Sequence, residues 1–408
     1  MVPNGWFKAK FGEITEIGNG QVDPKTEPYS SMMHIGPENV VSHTGQIIKI
    51  KSCKESDLIS GKYEFDENAI VYSKIRPNLN KVCKPDFKGV CSADMYPIWV
   101  KNGLDKDYLF HYMLGPHFYK AAISMSMRTG MPKINRNDLN TLSILLPPIV
   151  EQKKISQILS IWDQAISGTE KLLENSQQQK KALMQQLLTG KKRLLDENGV
   201  RFSGDWNTAT LGEIGEIKSA GVDKKIVDGE IPIRLLNFTD VFKRNFIYSD
   251  ELNHWVTAPI SKVESCDVKK GDVFFTPSSE TRDETGIPAV AAEDIPNCCY
   301  SYHIVRFRIS EQWDLNFKAY AFTTSNFRKQ IDRLADGSGQ RYVVSQDNFR
   351  SIIVNFPNFE EQVAIGKVLK SAEDEIHFLQ RKLDCLKQEK KALMQQLLTG
   401  KKRVKVAA

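Results

Sequence analysis

Few residue combinations in this sequence could carry out a reaction. Thr189-Gly190-Lys191-Lys192 has some lettering of a phosphate-binding loop. No GxxxxGK[ST] surrounds it, and it ends a helical pattern where such a loop must open one. The histidines (His34, His43, His111, His117, His254, His303 and His377) hold no pair at metal-ligand spacing, and HExxH is absent. GxSxG, the strained turn that exposes a nucleophilic serine, is absent too. A nuclease could be assembled by joining Pro85-Asp86 to Glu151-Gln152-Lys153, but those last residues open a long helix, and the related Glu361-Gln362-Val363 lacks the lysine. An amino-methyltransferase needs an Asn-Pro-Pro-aromatic loop, which neither Asn355-Phe356-Pro357-Asn358-Phe359 nor Leu146-Pro147-Pro148-Ile149 supplies. No self-contained catalytic site is visible, and what remains is the chemistry of recognition.

Composition narrows the class of partner. The chain has 408 residues, 41% hydrophobic and 26% charged, which describes an ordinary globular protein of two or three domains. Its 7 cysteines are odd in number and contain no CxxC, which argues against a disulfide framework and against a zinc site, and fits a reducing cytosol. Met1-Val2-Pro3-Asn4-Gly5 has neither the basic start nor the apolar core of a signal peptide, so a cytoplasmic protein is expected. The net charge of +6 is uneven: residues 1–150 carry +3 (18 basic against 15 acidic) and residues 201–350 carry −3 (19 against 22). A mild basic excess suits nucleic acid, and the acidic third quarter shows that charge alone does not explain the chain.

The elements that must position any site are written twice. KKALMQQLLTGKKR runs from Lys180 to Arg193 and again, identically, from Lys390 to Arg403. The halves also open alike: Trp6, Ala9, Gly12-Glu13-Ile14 and Glu16-Ile17 match Trp206, Ala209, Gly212-Glu213-Ile214 and Glu216-Ile217. Two tandem half-proteins are implied, with both tryptophans as core anchors. Short β-like runs follow at Ile47–Ile50, Ala69–Tyr72 and Tyr96–Val100, with Tyr108–Leu114 as a buried helix. Their counterparts are Asp272–Thr276 and His303–Ile309, with Lys318–Thr324 as the helix. Each half closes on a glycine turn, a polar-basic loop, an apolar strand and a proline stop, at Pro148 and at Pro357.

Glu151-Gln152 and Glu361-Gln362 then open two long helices, where acidic groups complement the helix dipole. Steps of four and three give the apolar positions Ile155, Leu159, Trp162, Ile166, Leu173, Leu183 and Leu187 in the first. In the second they give Ile365, Leu369, Ile376, Leu379, Leu383, Leu386, Leu393 and Leu397, with Ala372 between. This spacing is a coiled-coil seam. At roughly 38 residues and 57 Å each, the helices would be unstable alone. They are expected to pair antiparallel within the chain. Lys180 and Lys390 fall on the seam, where each either sets register or extends its ammonium to water.

The chain resembles the specificity subunit of type I restriction–modification systems over essentially its whole length. The resemblance rests on Gly-Glu-Ile after the opening Trp, on AIVYSKIRPNLNKV (Ala69–Val82) with GVCSAD (Gly89–Asp94), and on the Pro-Pro-x-x-Glu-Gln entry to a helix ending LLTGKKR. It implies an α+β fold: two mixed α/β target recognition domains, 1–148 and 200–357, separated by the long helices of 149–199 and 358–408 as an antiparallel intramolecular coiled coil with pseudo-twofold symmetry. It further implies a non-catalytic subunit reading a split, asymmetric DNA target, one domain per half-site, while the helices set the spacer and dock two methyltransferase subunits. Restriction/translocase subunits would complete the complex. No cofactor is expected on this chain, with S-adenosylmethionine, ATP and Mg on the partners. A stand-alone DNA-modifying enzyme and a coiled-coil adaptor are the alternatives.

On that reading the DNA-contacting candidates are Lys74, Arg76, Asn78, Asn80 and Lys81, a polar-basic loop after a strand, and Arg128, Lys133, Asn135 and Arg136 in the glycine-flanked loop. Arg76, preceding Pro77, is alternatively a buried structural arginine. In the second domain GDVFFTPSSETRDETG (Gly271–Gly286) departs from the family pattern, and the candidates are Ser278, Ser279, Arg282, Gln340, Arg341 and Tyr342. Arg and Lys suit guanine edges or phosphates, and Asn and Gln suit adenine. Gln185, Gln186, Gln395 and Gln396, on the outer faces of the identical helix ends, are candidates for subunit docking or are simply solvated.

Overall fold

A computed structural model describes residues 2–101, 103–126, 132–242, 244–338 and 341–405. The chain divides into two compact units, Met1–Glu170 with Arg381–Ala408, and Lys171–Gln380. Each unit therefore takes half of each long helix, because the helices run unbroken over Ile149–Leu187 and Phe359–Leu397.

In the first unit, Phe7–Lys10 pairs antiparallel with Ser143–Leu146, the strand that leads into the first long helix. An antiparallel sheet orders Thr15–Ile17, Met95–Val100, Ile70–Ser73 and Val82–Cys83. A mixed sheet orders Lys51–Ser52, Met33–Ile35, Gly89–Cys91 and Tyr63–Phe65. The Ile47–Ile50 run forms no strand, only a bridge from Ile47 to Val40. Lys49, inside the run, has a positive φ of 50°, which breaks an extended run. The helix Lys106–Leu114, capped by the Asp105 carboxylate, is buried along Tyr108–Leu114.

The second unit repeats the plan. Asn207–Thr210 pairs with Ile353–Phe356, and the main sheet orders Gly215–Lys218, Val305–Ile309, Val273–Phe275, Pro288–Ala291 and Phe246–Ile247. The helix expected at Lys318–Thr324 instead spans Leu315–Ala321. Its start is fixed by Asp314, whose carboxylate accepts the Phe317 amide at 2.8 Å.

The α+β fold is the one observed in each unit, and the two helix segments of each run antiparallel. In the first unit Glu151 meets Arg403, Asp163 meets Lys390, and Glu170 meets Lys387; in the second Lys180 meets Glu373 and Arg193 meets Glu361. Rising numbers on one helix meet falling numbers on the other. The seam residues Ile155, Leu159, Leu173, Leu187, Ile365, Leu369, Leu379, Leu383 and Leu397 are buried. Trp162, Ile166, Leu183, Ile376, Leu386 and Leu393 are half-buried. Burial of such a stripe at about 25 cal/mol per Å² is what stabilises a helix of this length.

Two polar clusters recur at the positions the internal repeat makes equivalent. Glu151, buried, accepts both Arg403 guanidinium bonds at 2.7 Å and the Trp6 indole N–H at 3.0 Å. Glu361 accepts two bonds from Arg193 at 2.6 Å, and Trp206 lies against that guanidinium at 5.9 Å. The anchoring tryptophans thus double as walls of an ion pair. Gln152 and Gln362 are wholly internal. Gln152 accepts from the Asp105 amide at 2.8 Å and donates to Pro147 at 2.9 Å; Gln362 accepts from Asp314 at 3.1 Å and donates to Pro357 at 3.0 Å. Each glutamine ties a helix start to the cap of the short buried helix.

The second cluster settles the seam lysines. Lys390 is hydrogen-bonded to Asp163, beside His111, whose Nδ1 lies 3.7 Å from the carboxylate. Lys180 lies 3.5 Å from Glu373, which accepts the Tyr320 hydroxyl. Both ammonium groups are paired rather than extended to water. Burial, assisted by Lys390 and Lys84, lowers the His111 pKa to about 3, so the imidazole is neutral. Burial and the bond to Glu373 raise the Tyr320 pKa, so its hydroxyl stays protonated and donates. Among the described residues no helix is long and apolar enough to cross a membrane.

Candidate nucleic-acid interface

Each unit carries two loops laced together at the end of a buried strand. In the first, Ile70–Ser73 delivers the loop 74–81, held against residues 132–135. The Arg76 amide donates to Pro132 at 2.8 Å, the Ile134 amide to Lys74 at 2.9 Å, and Ile75 bridges Lys133. Arg76 and Asn80 both take left-handed backbone, with φ of 48° and 41°. Their side chains leave the loop differently. Arg76, Asn78 and Lys133 are exposed. Arg76 is therefore not a buried arginine.

The remaining candidates there hold the loops in place. Asn80 is 1% exposed and donates to the Leu114 carbonyl at 3.3 Å. Lys81 donates to Pro37 at 2.5 Å. Asn135 caps the helix Arg136–Thr141, accepting from the Asp138 amide at 2.8 Å. Arg136 donates to Ile17 and Gly18 at 2.8 Å each and lies 5.2 Å from the Tyr96 ring centre. Lys74, half-buried, faces the same ring at 5.2 Å. Asn80, Asn135 and Arg136 are thus committed internally, and the side chains free to meet a ligand are Arg76, Asn78 and Lys133. Arg128 lies outside the described residues.

In the second unit Val273–Phe275 delivers the equivalent loop, and Ser278 and Ser279 pair with Val343 and Tyr342. Arg341 grips Ser278 Oγ through Nε at 3.2 Å and Nη2 at 2.8 Å. Arg282 lies over Tyr342 at 4.8 Å and donates to the Asp332 carbonyl at 2.8 Å. Gln340 lies outside the described residues. A cleft of about 490 Å³ opens here, lined by Phe238, Ser278, Glu280, Glu284, His303 and Arg341 among others. Ser279 donates to Glu284 at 2.9 Å. Burial, with Lys224 and Arg341 adding repulsion, lowers the His303 pKa and keeps the ring neutral at pH 7. Its ring lies tilted by 38° against exposed Tyr302, with the ring centres 3.9 Å apart.

Phe238, Glu280, Glu284 and His303 were not among the sequence candidates. The acids were visible in SSETRDETG, but nothing in the letters showed that His303 and Phe238 come to the same cleft, since Phe238 opens the short helix Phe238–Val241 and His303 sits in a turn. Gln185, Gln186, Gln395 and Gln396 are exposed, while Leu187, Leu188, Leu397 and Leu398 beside them are buried.

Comparison with known proteins adds the following. Residues 3–175 and 203–388 match the family model described as the type I restriction modification DNA specificity domain. The type I restriction enzyme EcoDI specificity subunit of Escherichia coli is 37% identical over 154 residues, 38% of this chain and 34% of that relative, so this match spans about a third of the relative's length. The type I restriction enzyme MjaVIII specificity subunit of Methanocaldococcus jannaschii is 29% identical over 78% of this chain and 75% of its own. Among solved structures, the type I restriction-modification system S subunit from M. genitalium shares the fold, with a TM-score of 0.59 at 14% identity, covering 100% of this chain and 97% of that one.

Proposed function

From the premise that the chain belongs to the type I restriction–modification DNA specificity family, we propose that it is the non-catalytic specificity subunit of a cytoplasmic methyltransferase/endonuclease complex. Each unit reads one half of a split DNA target, and the paired helices set the spacer. The exposed faces that end in the repeated KKALMQQLLTGKKR receive two copies of a methyltransferase subunit, with restriction/translocase subunits joining that core. S-adenosylmethionine, ATP and Mg are used on those partners.

One observation carries the reading. The two units share a scaffold down to the individual ion pair, yet their laced loops differ in chemistry: Arg76, Asn78 and Lys133 in one, Ser278, Glu280 and Arg341 in the other. A frame kept constant around unlike reading loops supports an asymmetric target held by identical partners. The acidic balance of residues 201–350 further supports partners that supply much of the phosphate contact.

The test is co-expression of the full chain with an adenine methyltransferase subunit of its system. The complex should co-purify and bind a bipartite sequence tightly, where the chain alone binds weakly. Absence of association overturns the reading. Cutting or methyl transfer by the purified chain alone favours the enzyme alternative, and unchanged specificity after exchange of residues 1–148 favours the adaptor.

A further inference from the structure

The cleft of the second unit is an unusual surface for a nucleic-acid reader, because it sets carboxylates beside its arginine. A carboxylate facing phosphates is repelled, so a basic groove for backbone contact would exclude it. Glu284 is explained internally by its bond from Ser279 Oγ at 2.9 Å. Glu280 lines the same cleft and is exposed. Acids at a reading surface are matched by the base edges that donate, and cytosine N4 is the donor that Glu and Asp accept from.

Arg341 is held in a way that suits the same base pair. Ser278 Oγ takes the Nε and Nη2 hydrogens on one edge of the guanidinium. That leaves the Nη1 and second Nη2 hydrogens as two parallel donors on the neighbouring edge. A fork fixed at one edge has lost the side-chain freedom it would otherwise lose on binding, and its spacing matches guanine O6 and N7. A phosphate can also take such a fork, and it is Glu280 in the same cleft that favours a base edge over the backbone for Arg341. The side chain is exposed, and Ser278 is itself fixed by antiparallel pairing with Val343.

We propose that the half-site read by the second unit contains a G·C pair, with Arg341 donating to guanine O6 and N7 in the major groove and Glu280 accepting from N4 of the paired cytosine. Ser278 is a positioning residue that orients the fork. The proposal rests on the specificity reading above and names the base pair that reading leaves open.

The test is methylome sequencing of cells that express the full chain with its methyltransferase partner, as wild type and as Arg341→Ala, Arg341→Lys, Ser278→Ala and Glu280→Ala. The wild type is expected to yield a bipartite motif. In Arg341→Ala one G·C position of one half-site should relax, its discrimination falling about 5- to 150-fold, with the other half-site unchanged. Arg341→Lys, which keeps the charge and loses the fork, should relax the same position. Glu280→Ala should act on that position too, and Ser278→Ala should relax it more weakly. The proposal is overturned if that half-site has no G·C pair, if Arg341→Ala and Arg341→Lys lower methylation equally at all sequences, as a phosphate contact would, or if Glu280→Ala acts at a different position or at none. A wild-type chain that yields no bipartite motif would instead refute the specificity reading itself.

Discussion

His111 occupies a place where a positive charge would be costly. It is 1% exposed, its Nε2 lies 3.2 Å from Ser160 Oγ, and the neighbouring Asp163 is already occupied by Lys390. The charged groups around it are Asp163, Lys390, Lys84 and Asp107. With its pKa lowered to about 3, the folded chain refuses a proton that the unfolded chain accepts near pH 6.5. The group binds fewer protons folded than unfolded through this window, so stability is present above it and falls as pH drops. The cost at pH 5 is about 2 kcal/mol. Thermal melts between pH 7 and 5 should show a flatter Tm profile for His111→Gln than for the parent, and an unchanged slope would show that His111 does not report this burial. Tyr320, the equivalent residue of the second unit, does not ionise in that range, so the same position there contributes no such slope.

At the scale of elements, each long helix ends on a glycine in left-handed backbone, Gly190 and Gly400, both with φ of 68°. The letters around them are identical, but the surroundings are not. A Cβ at Gly190 would come no nearer than 3.4 Å to Trp206, whereas one at Gly400 would lie 2.3 Å from Pro3 Cγ. Gly190→Ala should therefore cost only the backbone term, about 1 kcal/mol, and Gly400→Ala should cost more, because Pro3 must shift as well. Equal losses of Tm would refute the difference. The pair shows where sequence reading stops. Seam spacing, glycine stops and strand–loop order were legible because each is a local periodicity or a local backbone demand. The roles of Asn80 and Arg136 were not, because a polar side chain in a loop is written the same way whether it meets a ligand or a carbonyl 34 or 119 residues away. The pairing of Asp163 with Lys390 and of Glu373 with Lys180 was hidden for the same reason, although the repeat places an acid at both sites.

At the scale of the whole molecule, the ruler role proposed for the helices makes a quantitative demand. The ion pairs that join one long helix, or the segment just past its end, to the other fall within single units: 151 with 403, 163 with 390 and 170 with 387 in the first, 180 with 373 and 193 with 361 in the second. Seven residues inserted after Glu170 and seven more after Gln380 leave each of these pairs on its own side of both insertions. A heptad returns the seam to within about 20° of its original face, so the apolar stripe stays continuous. Each helix grows by about 10 Å, equivalent to about three base pairs of DNA. The matched insertion should fold with a Tm close to that of the parent and keep both half-sites while lengthening the preferred spacer by about three base pairs. Insertion into one helix alone has no partner residues to face, and should lower both Tm and methylation. Methylome sequencing of the two variants beside the parent decides the matter: a matched insertion that folds, methylates and keeps the parental spacer would remove the helices from any part in measuring DNA.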